Sequence, residues 1–251
     1  MRWLMIGVGS VLAGVAGAAG AAAAQSFDVT TRSITAPAAI CDVDVTALKG
    51  EIRRLSWSPN GQSMHLQTVD PRNGDLYDYI VDLGNNEISL AFGEPAWAAE
   101  YWMRKSSLVA PGRPELKLDV TEKNRRTRPV PFTGGFGNGG AQTPDPRNPV
   151  DAYEHEVTLR FAGEEIGNWI NGAPMAGDTF GWGPDGSGAL AFTDKSGRLT
   201  LIDQARRKLA VTGVKDAVFP AWSADGARLA WLQKTGRKKY KLVSAALTAP
   251  P

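Results

Sequence analysis

The chain has 251 residues, with 28 Lys and Arg against 26 Asp and Glu for a formal net charge of +2. That near-balance leaves no global field to gather nucleic acid or a membrane surface. One cysteine, Cys41, and two histidines, His65 and His155, exclude an internal disulfide and leave little material for a transition-metal centre.

The N-terminal 24 residues read as an export signal. Arg2 gives a short positive region, Trp3 to Val15 is apolar apart from Ser10, and Ala22-Ala23-Ala24 offers a small-residue cleavage pattern before Gln25. An uncleaved anchor is the weaker alternative, because the Gly/Ala-rich second half is poorly hydrophobic for a span of roughly 20 residues. No cysteine stands at the cleavage site, and a lone Arg2 does not make a twin-arginine signal. The expectation is a periplasmic or secreted chain with no stable membrane span after cleavage, residues 25–251 forming one domain. In that compartment Cys41 is either buried and inert or an intermolecular partner, and burial is the better reading.

Within that domain, Trp57, Trp97, Trp182 and Trp222 are separated by 40, 85 and 40 residues. Three of them open nearly the same turn: Trp57-Ser58-Pro59-Asn60-Gly61, Trp182-Gly183-Pro184-Asp185-Gly186 and Trp222-Ser223-Ala224-Asp225-Gly226. Pro59 and Pro184 fix φ at the first corner, Asn60, Asp185 and Asp225 can bond back to turn amides, and each Gly accepts a positive φ. Strand-like runs follow at Ser63–Thr68, Ala189–Thr193 and Arg228–Leu232, the extra residue of the Trp182 unit suggesting a longer turn or a bulge near Ser187-Gly188. A third run follows in each unit at Leu76–Asp82, Leu116–Val120, Leu199–Asp203 and Tyr240–Ser244, and a fourth at Lys208–Val211.

A period near 40–45 residues with four short strands each is the signature of a β-propeller. The fold expectation is therefore all-β: a propeller of four-stranded blades, five in number. The unit at Trp97 has lost the Pro-Asp-Gly signal, and the third blade (136–178) is degenerate. Its first half is replaced by a Gly/Pro-rich loop at about 133–149. The last unit ends one strand short near Leu247, while β-rich sequence precedes Trp57. The N-terminal strand is expected to complete the last blade and so remove an open edge.

The Trp-Ser-Pro-Asp-Gly turn, the strand after it and the Leu-Tyr-x-x-Asp type of third strand resemble the WD40-like (PD40) repeats of TolB-type propellers. The resemblance is good over 50–93 and 179–247, poor over 97–135 and absent over 136–150. It implies a periplasmic or secreted propeller that binds partner proteins or accompanies a peptidase domain. No hydrolase domain is recognisable beside the repeats.

The chemistry-bearing residues are sparse. His65 lies in a strand at the slot held by Ala230 and reads as a satisfied strand residue. Alternation sets Glu154 and Glu156 on the face opposite His155, so the Glu-His-Glu triplet is a poor metal set. Gly135-Phe136-Gly137-Asn138-Gly139-Gly140 matches a dinucleotide fingerprint, but Pro144, Pro146 and Pro149 forbid the helix that would meet a phosphate. No Gly-x-Ser-x-Gly elbow or calcium loop is present. The reading is non-enzymatic, with no cofactor and no metal.

Contacts are expected at the basic clusters Lys123–Arg128 and Arg206–Lys208, placed in hairpins between third and fourth strands. Arg125, Arg126, Arg128, Arg206 and Arg207 are the candidate residues, although solvated turns explain such charges without any function. Arg237–Lys241 lies between the second and third strands of the last unit. Phe136 in the 133–149 loop and the off-period Trp102 and Trp169 complete the candidates, the two tryptophans as stacking platforms or as packing between blades. The function expected is an exported scaffold binding a partner protein in the cell envelope. The alternative is a propeller binding carbohydrate or another small ligand through its central channel or Trp102 and Trp169.

Overall fold

The computed structural model describes residues 27–44, 47–127, 130–132, 145–150, 153–170, 179–194 and 196–248. Residues 1–24, expected to be an export signal, Arg128, Phe136 and the 133–144 part of the Gly/Pro loop lie outside the described residues.

After a single 3-10 turn at Val29–Thr31 come β1 (Ser33–Ile34), β2 (Ala38–Asp44), β3 (Glu51–Trp57), β4 (Ser63–Val69), β5 (Leu76–Asp82) and β6 (Glu87–Leu90). Helix α1 (Ala96–Lys105) follows. Then come β7 (Val109–Ala110), β8 (Arg113–Lys117), β9 (Asp119–Arg126), β10 (Val130–Phe132), β11 (Asp145–Val150), β12 (Tyr153–Phe161) and β13 (Glu164–Ile170). The C-terminal third holds β14 (Phe180–Trp182), β15 (Leu190–Thr193), β16 (Leu199–Ile202), β17 (Lys208–Ala210), β18 (Ala217–Trp222), β19 (Arg228–Gly236) and β20 (Lys239–Thr248).

The chain is all-β in several antiparallel sheets, with α1 the one α-helix among the described residues. β3 to β6 form one four-stranded meander and β14 to β17 a second. β18, β19 and β20 begin a third, completed from the N-terminus. β2 pairs along β20 from Ala38 opposite Ser244 to Asp44 opposite Lys239, and β1 pairs beyond it, Ser33 opposite Thr248. The N-terminal segment thus supplies the strand that the last unit lacks. A clasp reinforces it: Arg207 binds both Asp28 and Asp203, and Val29 is wholly buried between the second and third meanders.

The three turns after Trp57, Trp182 and Trp222 are built as their residues require. Gly61, Gly186 and Gly226 have φ of 66°, 76° and 70°, left-handed values that glycine adopts without a Cβ clash. Asn60 Oδ1 accepts from the Gln62 amide at 3.0 Å, and Asp225 Oδ1 from the Ala227 amide at 3.0 Å. In those two turns Ser58 and Ser223 also donate to the same oxygen.

Each anchoring tryptophan is at most 1% exposed, and burying an indole removes roughly 150–250 Å² from water, worth about 4–6 kcal/mol. The rings sit at seams between neighbouring sheets. One apolar cluster joins the β3–β6 and β18–β20 sheets around Trp57, and a second joins β18–β20 to β14–β17 around Trp222 and Trp231. A third joins β14–β17 to β12–β13 around Trp182, whose ring takes the edge of Phe161 at 5.2 Å.

The middle of the chain departs from the expected repeat. Trp97 does not open a blade turn: Ala96–Lys105 is helical, and α1 packs against both β3 and β14. The expected third strand over Leu116–Val120 is split between β8 and β9 around the buried Leu118. β9 pairs with β12, Arg126 opposite Tyr153 to Asp119 opposite Arg160, giving a three-stranded sheet ordered β13-β12-β9. The residues 145–149, expected in the loop, lie in β11, which pairs with β10. Among the described residues there are thus three sheets of four or more strands, one of three and two of two, not five four-stranded blades. A β9–β12 pairing joins parts of two expected units, which a strict 40-residue ruler does not anticipate.

Candidate functional site

Helix α1 is sited by its own sequence. Pro95 stands at the N-cap with φ −63° and ψ 139°, Ala-rich sequence follows, and Arg104 and Lys105 fall in the last turn, where cations suit the carbonyl end of the helix. Ala98 is fully buried, letting the helix approach β3, where the Ser56 hydroxyl donates to the Ala98 carbonyl at 3.5 Å. On the next turn the Tyr101 hydroxyl donates to the Trp222 carbonyl at 2.7 Å, and burial pushes this phenol well above its ordinary pKa.

Lys105 is the side chain that ties α1 to the second tryptophan turn. Its ammonium donates to the Gly183 carbonyl at 2.5 Å and to Asp185 Oδ1 at 3.2 Å, with the residue 8% exposed. Desolvation, assisted by the neighbouring Arg104 charge, lowers its pKa to about 8. Arg104 pairs with the other oxygen of Asp185 and lies 3.5 Å from Glu100. Asp185 therefore does not close its own turn as Asn60 and Asp225 do. Gly183 stands where the sister turns carry Ser58 and Ser223, so no hydroxyl claims the carboxylate and α1 takes it instead.

Between α1 and the turns lies a cavity of about 380 Å³. Trp57, Trp97 and Tyr101 give it aromatic walls, Pro59 and Ala224 apolar corners, and Glu100, Arg104, Lys105 and Asp185 a charged side. Opposite charges are present in equal number, so the site suits a ligand with both apolar and hydrogen-bonding character over a bare ion. Trp57 has one face under the Arg228 guanidinium, 4.6 Å from the ring centroid, and its position is fixed.

The residues expected as contacts are dispersed. Trp102 is half-buried on α1 beneath the Arg54 guanidinium, 5.1 Å away, while Trp169 is half-buried on β13 and folds over Gly167. Arg125 and Arg126 are exposed, but in strand β9 and not in a hairpin, because the strand continues to Arg126 in register with β12. Arg206 is exposed in the β16–β17 turn at φ 65°, and Arg207 is engaged in the clasp with Asp28 and Asp203. Arg128 and Phe136 lie outside the described residues. Sequence reasoning missed Glu100, Arg104, Lys105 and Asp185. The usable signal was the Gly at 183 beside two serines in equivalent turns.

The histidines behave differently from each other. His65 is fully buried, its Nε2 2.8 Å from Asp78 Oδ1, which also accepts from Gln67 Nε2 at 2.9 Å; Nδ1 of His65 is buried without a partner. His155 lies beside Asn124 and Glu122, and the cross-strand register sets Glu154 and Glu156 on the opposite face, as alternation requires. Among the described residues no group of three or more His, Cys, Asp or Glu side chains could hold a metal ion, and no helix is long and apolar enough to cross a membrane. Cys41 is half-buried on β2, and burial raises its thiol to about 11.

No family model and no curated protein matches the chain. Among solved structures, the crystal structure of TolB from Acinetobacter baumannii is similar at 10% identity and a TM-score of 0.26, over 80% of this chain and 44% of that one. The chain spans less than half the length of that structure.

Proposed function

We propose that this chain is an exported, non-enzymatic binding module of propeller type, which holds a segment of a partner protein in the cell envelope at the cavity between α1 and the tryptophan turns. In this reading β3, β18 and β14 are innermost strands of successive blades, and α1 occupies the inner position of a blade that lost its strand pattern. The observation that carries the proposal is the diversion of Asp185 from its turn to Arg104 and Lys105 beside an aromatic-walled cavity. A helix end that only filled space would not need a buried ammonium, whose desolvation is costly. Trp, Tyr and Arg side chains around a concavity are the residue types that dominate recognition hot spots.

A second reading, a carbohydrate or other small neutral ligand in the same cavity, is favoured by the combination of indole walls with carboxylate and guanidinium groups. The test is capture from envelope extract beside a glycan array, using the chain from residue 25 and its Trp97→Ala and Glu100→Lys variants. A protein retained by the parent and lost from both variants supports the leading reading. Glycan binding lost in both supports the second. Capture that both variants leave unchanged rejects this cavity as the site.

A further inference from the structure

β3 runs about 20 Å, at roughly 3.3 Å per residue, from the tryptophan turns to a second cavity at its other end. We propose that this cavity, of about 570 Å³, is a binding site for a phosphoryl-bearing anion. Three cations converge on it from three separate turns: Lys49 before β3, Arg72 between β4 and β5, and Lys238 between β19 and β20.

Each turn is held in place before any ligand arrives. The Lys49 amide donates to the Tyr79 hydroxyl at 3.1 Å, and its carbonyl accepts from the Thr68 hydroxyl. Gly50 follows at φ 89°, so close to the Val69 carbonyl that a Cβ would collide with backbone. Lys238 sits in the left-handed region at φ 58°, fixed by the tight hairpin. Arg72 is gripped by Asp70 through Nε at 3.0 Å and Nη2 at 2.7 Å, leaving its Nη1 donors uncommitted. Preorganised turns lose little backbone freedom on binding.

The charge balance decides the ligand class. Asp70 is consumed by Arg72, and Glu51 is the remaining carboxylate on the cavity wall. Among the described residues no carboxylate lies within ion-pair distance of Lys49 or Lys238; the Lys49 ammonium rests 5.2 Å from the Tyr77 ring centroid. Two unpaired ammonium groups and a half-used guanidinium around one concavity suit a compact, multiply charged oxyanion, to which lysine binds as a point charge and arginine through its fork.

The test is titration of the ¹⁵N-labelled chain from residue 25 with inorganic phosphate, ionic strength being held constant with chloride. Saturable amide shifts are expected at Lys49, Gly50, Arg72 and Lys238. The Lys49→Ala/Lys238→Ala double variant should weaken the apparent Kd roughly tenfold or more, and Glu51→Gln should tighten it, because removing a like charge favours an anion. Both lysines are exposed, so the spectrum elsewhere should be unchanged. Sedimentation with phosphatidylglycerol vesicles against phosphatidylcholine vesicles separates the sources. Binding to the former that phosphate competes away assigns a lipid headgroup, and phosphate saturation without vesicle binding assigns a soluble phosphate. Shifts that fail to saturate, or an affinity indifferent to all three substitutions, overturn the proposal.

Discussion

The indole Nε1 of Trp57 donates to the carbonyl oxygen of Ala221, 2.8 Å away in the neighbouring sheet. The same link recurs along the molecule: Trp222 donates to Gly181 at 3.2 Å, and Trp182 to Ser107 at 2.7 Å. Each of these three tryptophans therefore does two things, filling its own seam and satisfying a backbone carbonyl outside its own sheet. Trp57→Phe keeps most of the apolar burial and orphans the Ala221 carbonyl, so a loss of about 1–3 kcal/mol is expected. Trp57→Ala should cost about 3–5 kcal/mol. Urea denaturation of both variants separates the two contributions, and a Trp57→Phe stability equal to the parent's would mean that the hydrogen bond contributes nothing.

The seam receiving Trp222 is narrow because residue 181 has no side chain. A Cβ there would press into the Pro220 carbonyl, a backbone atom that cannot swing aside. Gly181 is not at positive φ, so the cost of Gly181→Ala is steric and comes from separating β14 and β18. An expected destabilisation of about 1–3 kcal/mol follows for such overpacking. A melting temperature equal to the parent's would contradict this close approach.

Lys105 provides a pH signature. Its folded pKa of about 8 lies below the ordinary 10.5, so between these values the unfolded chain binds more protons than the folded one. Stability contributed through this group must therefore rise with pH from about 8 to about 10.5 and be flat below 8. Other lysines and tyrosines titrate in the same range, so the informative quantity is the parent-minus-Lys105→Met difference in unfolding free energy. That difference should climb across the window. A flat difference would place the ammonium in solvent.

The tryptophan turns were legible because their determinants are local: glycine for positive φ, Asn or Asp for the returning bond, and an indole at a fixed offset. The N-terminal strand on β20 was legible because an incomplete last unit and surplus β sequence at the start require one another. Trp97 misled because its spacing fits the ruler while its neighbours do not. Pro95 followed by Ala96-Trp97-Ala98-Ala99-Glu100 is a helix start, and local propensity outweighed the period. The pairing of Lys105 with Asp185 spans 80 positions and has no local signature beyond Gly183. The β9–β12 register is equally non-local, since it depends on which edges remain free after the other sheets have formed.

The buried row on the first meander makes a further test. Asp78 Oδ1 accepts from both His65 and Gln67 inside the sheet. Asp78→Ala leaves two buried donors unpaired, each costing about 1–3 kcal/mol, whereas His65→Ala at the slot held by Ala230 leaves fewer. Equilibrium unfolding should therefore rank Asp78→Ala as the more destabilised. The reverse order would show that the imidazole packs against Trp97, 6.2 Å away between ring centroids, more than it bonds.

Site-specific photocrosslinking tests the central claim most directly. A photoreactive phenylalanine analogue replaces Trp97 in one sample and Leu209, on the remote strand β17, in another, and each is irradiated in envelope extract. The account predicts a discrete adduct from position 97 that an added Glu100→Lys change abolishes, and none from position 209. The same adduct from both positions, or an adduct from 97 indifferent to Glu100→Lys, would contradict recognition at the α1 cavity.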